Sequence, residues 1–460
     1  MAESIAVLLA AGKGSRIWPY GELRQKCAIP LAGGPLIAHL AGELLAAGSD
    51  HLHVVVGHNA GTVRHALARW DDRVTYVEQR DAIGTADAAL CALSDATFDS
   101  ALIAYGDIFL GREDLAAVHS MVADGTAPAA ALVAPLGRER PQDWLCAEIG
   151  DGRLTGIEGH PRGGSHRLAG VYALRAEHLR YLRNNPGLMT SVPVGGMPPQ
   201  EAELAQSVQM MIDDGAEVAA VETAGPFVDV DKPWHILAAG RAATDYAFSR
   251  ADESIIPGSC SISDGAEVGG KLLLGENVTI GNRVVIKGDL MVGEGTSITN
   301  GAIIGPRAAI GAHCGVRDYG TLHGHSTIGD HCRIAQTAEF VGVAFDRVYM
   351  VHYCEIDGVL GSAADIGAAT VCGTLRFDDG RTVHRVKGRP EVPAVGANAS
   401  YIGDHSRTGV NAILLPGVKV GCYSCIGPGV LLYDDVPSRK LILAKQEHEI
   451  RDWGPERYGW

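Results

Sequence analysis

The chain has 460 residues, with 39 Lys and Arg against 54 Asp and Glu, a formal net charge of -15, and 46% apolar residues. That length supports two or three domains with proper cores, and that composition excludes a chain disordered throughout. The acid excess without a basic stripe excludes a nucleic-acid binder, and no apolar run reaches the roughly 18 to 20 residues of a spanning helix, so neither nucleic acid nor membrane is an expected partner.

Ser4 to Leu9 is an apolar run ending in the turn Gly12-Lys13-Gly14-Ser15-Arg16, Leu36 to Ala47 has helical spacing, and His51 to Val56 is apolar again. Ala101 to Ala104 leads into Tyr105-Gly106-Asp107. Strand, helix, strand in this order predicts a parallel sheet covered by helices. Arg241 to Arg250 is helical in composition and is broken at Ile255-Ile256-Pro257-Gly258. The expected domains are therefore residues 1–245, a linker 246–257, a second domain 258–436 and a charged tail 437–460. The start, Met-Ala-Glu-Ser, lacks the basic flank of a secretory signal, so the expected location is the cytoplasm. Ten scattered cysteines, with Cys422 and Cys425 as the sole CxxC pair, read as reduced thiols.

From Ile262 an aliphatic or aromatic residue recurs at every sixth position through Phe340, fourteen consecutive times. A period of six fits a coil of three short strands with one inward residue per strand. The register then slips by two and resumes at Val348, Cys354, Leu360, Ile366 and Cys372; after an insertion over 373–394 it returns as Ile402, Leu414, Val420, Ile426 and Leu432, with Thr408 as a lapse. Gly, Asp or Asn after the inward residue, as in Ile280-Gly281-Asn282, marks a tight turn. The architecture is a parallel β-helix of hexapeptide repeats.

Glycines 12 and 14 let backbone amides approach an anion, with Lys13 and Arg16 supplying positive charge. Alone this turn is a weak signal. Lys26 in Gln25-Lys26-Cys27, Gln79 ahead of Gly84-Thr85-Ala86, Asp107 after a strand, and Asp229 in Phe227-Val228-Asp229-Val230-Asp231-Lys232-Pro233-Trp234 follow in order. With these elements the first half resembles the sugar-1-phosphate nucleotidylyltransferases. The fold class so implied is α/β, an N-terminal Rossmann-like nucleotidyltransferase domain followed by a left-handed parallel β-helix. The resemblance implies that a sugar phosphate oxygen attacks the α-phosphorus of a nucleoside triphosphate, UTP by analogy with the family, and that pyrophosphate leaves. It assigns Mg²⁺ to Asp107 and Asp229, transition-state charge to Arg16 and Lys26, nucleotide contacts to Leu9, Ala11, Gly12, Gly14, Gln79, Gly84 and Thr85, and sugar contacts to Glu158 and Gly170. Where the family has proline before the lysine, this chain has Gln25. Glu158-Gly159-His160-Pro161, Leu168-Ala169-Gly170 and Trp144-Leu145 depart from the family on the sugar side, which should change the hydroxyls that are read.

Val316-Arg317-Asp318-Tyr319, His352, Ile366 to Thr370, Leu375 to Asp379 and Arg407 to Val418 extend the resemblance to the bifunctional N-acetylglucosamine-1-phosphate uridylyltransferase/amino-sugar-1-phosphate acetyltransferases of archaeal type. It implies a homotrimer, acetyl-CoA as second substrate, His352 as general base on an amino group, and Arg317 as phosphate ligand. The lysine, tyrosine and two asparagines expected around the amino sugar read Phe340, Glu355, Asp365 and Thr374. Two readings stand: the acceptor is a different amino compound, or this half no longer transfers an acyl group. The competing reading of the whole chain is a nucleotide-binding, catalytically silent scaffold assembled through its β-helix.

Overall fold

The computed structural model describes residues 4–137 and 139–458; the first three residues of the start and the last two of the tail lie outside the described residues. Strands β1 (Ser4–Ala10), β2 (Leu52–Val56), β3 (Val74–Glu78) and β4 (Ser100–Tyr105) pair in parallel in the order β3-β2-β1-β4. The period of two along β1 sorts its side chains between two cores. Ala6, Leu8 and Ala10 meet helices α1 (Leu36–Ala46) and α2 (Ala60–Leu67); Val7 and Leu9 meet α3 (Thr85–Leu93).

After β4 come β5 (Ile108–Phe109), α4 (Arg112–Ala123), β6 (Ala129–Pro135), β7 (Leu145–Gly150), β8 (Arg153–Gly159), β9 (His166–Arg175), α5 (Leu204–Asp213), β10 (Val218–Glu222), β11 (Val228–Asp229) and α6 (Pro233–Ser249). The expected parallel sheet is corrected here to a mixed one. β9 lies antiparallel between β4 and β6, and β7 and β8 pair antiparallel at the edge. For the edge pair the physical reason is local: Asp151 and Gly152, at φ 50° and 74°, close a tight hairpin between β7 and β8, so no crossover helix intervenes.

The second half coils as a parallel β-helix. Ser261 pairs with Thr279 and Thr279 with Ser297, so each coil takes 18 residues, and the six-residue columns from Leu274 to Phe340 form a continuous buried core. Past Phe340 the register differs from the expected one. Phe340 stacks on Ile356 and Ile328 on Ala344, then Leu360, so two successive coils have 16 residues each. Val348 and Cys354 are buried, but two positions before the inward Met350 and Ile356. In these short coils Glu339–Ala344 and Glu355–Leu360 run straight on where other coils turn. Gly342 and Gly358, at φ 126° and 147°, permit this stacking, since a Cβ on either would strike the backbone of the next coil.

The straightened strands turn Val343 and Val359 outward, and with Phe345 just past the first of them they enter a core shared with Ile17, Tyr20, Trp234, Ile236 and Ala239 of the first half. The Tyr20 hydroxyl donates to the Val359 carbonyl at 2.7 Å, and Arg24 grips Asp404 with contacts of 2.6 and 3.0 Å. The insertion between Cys372 and Ser400 carries a hairpin of His384–Val386 and Arg389–Glu391, and Glu391 pairs with Lys232 at the start of α6. Among the described residues no helix is long and apolar enough to cross a membrane.

Candidate functional site

β1 is flanked by β2 on one side and β4 on the other, so the loops leaving the carboxyl ends of β1 and β4 diverge and open a crevice, the usual ligand position in an open α/β sheet. Residues 11–16 form one loop and Gly106-Asp107 begins the other; the Gly106 amide donates to the Leu9 carbonyl at 2.9 Å and ties them together. Ala11 is buried, Gly12 is exposed with open space where a Cβ would stand, and Gly14 takes φ 57° with a Cβ position only 2.9 Å from that of Lys26. Gln25 fills the place of the family's proline by capping the short helix that starts at Lys26. Its side chain donates to the Gly12 carbonyl at 3.0 Å and accepts from the Cys27 amide.

The structure brings Arg16, Lys26, Asp107 and Asp229 together. β5 and β11 pair antiparallel, and the Val230 amide donates to the Asp107 carbonyl at 2.9 Å, so both carboxylates emerge from one backbone clasp. Lys26 Nζ lies 2.5 Å from Asp107 Oδ2 and 3.2 Å from Asp231 Oδ1, and Arg16 Nε is 3.2 Å from the same Asp231 oxygen. Burial, followed by the charge of Asp107, pushes the Asp229 carboxyl up to about 7. Burial works against the charge of Asp231 too, but Lys26 and Arg16 overcome it and hold that carboxyl down at about 2. Burial likewise opposes the Lys26 ammonium, which Asp107 and Asp231 nonetheless keep above its ordinary range.

Asp231 has no role in the sequence reading, although its spacing from Asp229 was the available signal: alternate residues of an extended segment share a face. His235 was also missed. Its Nδ1 accepts from the Asp231 amide at 3.2 Å, its ring stacks on Trp144 at 6.3 Å, and burial lowers it to about 3, so it is neutral.

On the nucleotide side, Gln79 is buried and its amide nitrogen donates to the Gly84 carbonyl at 3.1 Å and to Asp87 at 2.7 Å. Gly84, at φ 141°, caps α3 against Ala202, whose backbone would lie 2.4 Å from an added Cβ. Thr85 Oγ1 donates to Glu203 at 3.0 Å and accepts from the Leu204 amide at 2.7 Å; burial raises the Glu203 carboxyl to about 7. On the sugar side, Gly170 takes φ 73° with Tyr105 packed 2.9 Å from its Cβ position, and Glu158 sits half-buried on β8 opposite Cys146 of β7.

Residues 6–189 match the model of the MobA-like NTP transferase domain. Over 451 residues the chain is 32% identical to the "Bifunctional protein GlmU" of Methanococcus maripaludis, covering 96% of this chain and 98% of that one. The chain belongs to the bifunctional GlmU family. It is also 27% identical over 436 residues to the "Bifunctional sugar-1-phosphate nucleotidylyltransferase/acetyltransferase" of Sulfurisphaera tokodaii, covering 94% of this chain and 98% of that one. Against the "Glucose-1-phosphate thymidylyltransferase" of Streptomyces antibioticus identity is 27% over 286 residues, 59% of this chain and 76% of that one.

The second half of this GlmU-family chain presents Arg317 and His352 on one corner of the β-helix. Arg317 stacks over Ala335 and Val351, the neighbour of His352, which puts the two residues two coils apart, roughly 10 Å at the spacing of paired strands. Both are exposed; Arg317 Nε is 3.6 Å from Asp318, and His352 takes φ 69°. Phe340 is fully buried in the lumen between Leu322 and Ile356, so it is corrected from a pocket residue to a core residue. Glu355 is exposed, Asp365 faces Arg407 at 3.7 Å, and Thr374 lines a cleft of about 620 Å³ between α6, the β-helix and the insertion.

Proposed function

We propose that the crevice of the first half transfers a nucleoside monophosphate from a triphosphate to a sugar 1-phosphate. A phosphate oxygen of the sugar 1-phosphate forms a bond to the α-phosphorus, the bond from that phosphorus to the bridging oxygen breaks, and pyrophosphate departs with the electron pair. The observation that carries this reading is the interlocked set Arg16, Lys26, Asp107, Asp229 and Asp231 at the sheet's switch point. Phosphoryl transfer asks mainly for positioning and charge neutralisation, and fixed cations in a partly dry site supply both.

Asp107 and Asp229 fit Mg²⁺. They offer hard oxygen donors from one backbone clasp, and the rise of the Asp229 carboxyl, caused first by burial and then by the charge of Asp107, marks a site where a cation would favour the ionised form. Such an ion takes one or two carboxylates and fills its shell with phosphate oxygens and water. When bound, the ion neutralises charge on the triphosphate. Lys26 would meet the transferring phosphate and Arg16 the departing ones, the 54% exposure of the Arg16 side chain leaving it able to turn outward. Leu9, Ala11, Gly12 and Gly14 would frame the triphosphate and Glu158 and Gly170 the sugar. Gln79, whose nitrogen is already engaged, keeps its carbonyl to accept from the N3–H that uracil and thymine carry and cytosine lacks. That contact disfavours cytosine without separating uracil from thymine; UTP is the proposed donor on the family resemblance.

For the β-helix we propose acetyl-CoA-dependent N-acetylation, with His352 taking the proton from the attacking amine and Arg317 meeting the acceptor's anion, supported by their common corner. The family resemblance supports assembly into a homotrimer, in which a neighbouring copy would complete the site at these two exposed residues.

The deciding experiment incubates purified protein with each triphosphate and a panel of sugar 1-phosphates while pyrophosphate is followed; release with UTP and one or more sugar phosphates is expected, and none with any pair rejects the reading. Thiol release from acetyl-CoA with amino-sugar phosphates tests the second activity, which His352→Ala should abolish without touching the first.

A further inference from the structure

Two links tie the insertion of the second half to the stretch that carries the crevice carboxylates. Glu391 of the hairpin pairs with Lys232, the residue after Asp231, and the side chains of Lys232 and Glu391 are only 9% and 17% exposed. His384, at the other end of the hairpin, packs its ring 5.1 Å from that of Trp234, two residues past Lys232, and 5.8 Å from that of Tyr401 on the β-helix. The hairpin itself is anchored. His384 Nε2 donates to the Ala397 carbonyl at 2.7 Å, which leaves Nδ1 to accept from Lys419 Nζ at 3.2 Å, and Lys419 in turn lies 2.9 Å from Asp435. A strap fixed to the β-helix thus reaches across to the first half.

The charges at the crevice give the strap its consequence. A buried ammonium needs a counter-ion, and losing that partner leaves a charge that will seek another. The carboxylate adjacent to Lys232 in the chain is Asp231, and Lys26 and Arg16 already share one of its oxygens at 3.2 Å each. Arg167, a further buried cation nearby, is engaged with Glu139 between the rings of Trp144 and Phe227. Lys232 instead takes its counter-ion from the other half of the molecule. Its flexible four-carbon stem, once released from Glu391, would turn to Asp231 and compete there with Lys26 and Arg16.

Resting on the nucleotidyl-transfer reading, we propose that Glu391 is a positioning residue of the crevice, contributed by the β-helix half: by neutralising Lys232 it leaves Asp231 to Lys26 and Arg16, the two cations that meet the phosphates. The crevice is then complete only with the insertion docked on it. A merely structural ion pair gives similar losses whichever partner is removed. This role makes the partners unequal, because Glu391→Gln strands a cation beside Asp231 whereas Lys232→Gln strands a carboxylate on the hairpin.

The test compares wild type, Glu391→Gln, Lys232→Gln and the double variant by following pyrophosphate at saturating UTP, Mg²⁺ and sugar 1-phosphate. Glu391→Gln should lower kcat about 10–100-fold, the loss met when a supporting partner of a metal site is removed. Lys232→Gln should melt at a lower temperature, yet it and the double variant should keep kcat within about threefold of wild type, since neither strands a cation. Equal losses of kcat in the two single variants, no loss in Glu391→Gln, or a double variant as slow as Glu391→Gln overturns the proposal. Should Glu391→Gln not fold, Glu391→Asp takes its place: it keeps the charge but withdraws it by one methylene, so a loss of about three- to tenfold supports positioning and full activity rejects it. A wild-type protein that releases no pyrophosphate sinks the catalytic reading alone. Crystal structures of wild type and the Glu391 variant then decide: Lys232 displacing Arg16 or Lys26 from Asp231 upholds the positioning role, and a crevice in which both keep Asp231 rejects it.

Discussion

The two candidate sites of this chain are built on opposite plans. In the crevice, three carboxylates and two cations hold one another in a partly buried cluster, each placed by the end of a strand or a short helix. At the β-helix corner, Arg317 and His352 stand exposed about two coils apart. A sheet edge can complete a site within one chain because loops from several strands converge there. A β-helix corner is a convex ridge, so its side chains diverge and need a second surface opposite them. The difference separates chemistry that one subunit should perform from chemistry that should depend on assembly.

The two plans meet at Arg24, which follows the loop that leads to Lys26 and grips Asp404 of the β-helix, a carboxylate only 1% exposed. Arg24→Ala would leave that carboxylate buried without its cation, which costs about 3–5 kcal/mol. A large fall in melting temperature together with weakened pyrophosphate release is the expected outcome. Intact stability would mean that the halves are independent units merely sharing a chain.

Lys26→Ala sharpens the contrast from the catalytic side. Removing the ammonium strands Asp107 and Asp231, and by analogy with loss of one preorganised donor the rate should fall about 10²–10³-fold. Acyl transfer from acetyl-CoA should be unchanged in the same preparation. A parallel loss of both activities would show that the charge cluster supports the fold rather than the reaction.

A smaller effect concerns Glu203, which burial raises to about 7. The folded chain then holds a proton between about pH 4.5 and 7 that the unfolded chain has released, so stability from this group falls as pH rises through that window. Glu203→Gln keeps an acceptor for the Thr85 hydroxyl and has no charge to bury. It should be more stable than wild type by on the order of 2 kcal/mol at pH 8, with the gain vanishing near pH 4. A gain that is equal at both pH values would exclude ionisation as its cause.

What the sequence could disclose depended on whether the determining interaction is local. The six-residue period and the ordered motifs Gly12 to Arg16, Lys26, Asp107 and Asp229 are written in short stretches, and the structure places the latter four chemical groups in one crevice. Asp231, His235 and Arg167 acquire meaning only from partners outside their own stretch of sequence, Lys26 for Asp231 and the ring of Trp144 for His235 and Arg167. The 16-residue coils escaped for the same reason. Their shortening serves the interface with Tyr20 and Trp234, which the repeat itself does not encode.

The finest distinction is within a single turn of the repeat. Gly281 follows an inward residue and reads as the residue that bends the chain, yet the left-handed conformation belongs to Arg283, at φ 62°, while a Cβ on Gly281 would come 2.9 Å from the Thr299 methyl of the next coil. Glycine at 281 therefore serves stacking between coils and arginine at 283 bears the strained turn. Gly281→Ala should destabilise the protein by about 1–3 kcal/mol through overpacking. Arg283→Gly should stabilise it by about 0.5 kcal/mol, because relief of the left-handed penalty slightly exceeds the added entropy of the unfolded chain. Denaturant midpoints of the two variants test these causes separately: a neutral Gly281→Ala would show that stacking does not require glycine at 281, and a loss of stability in Arg283→Gly would show that no left-handed penalty was being relieved at 283.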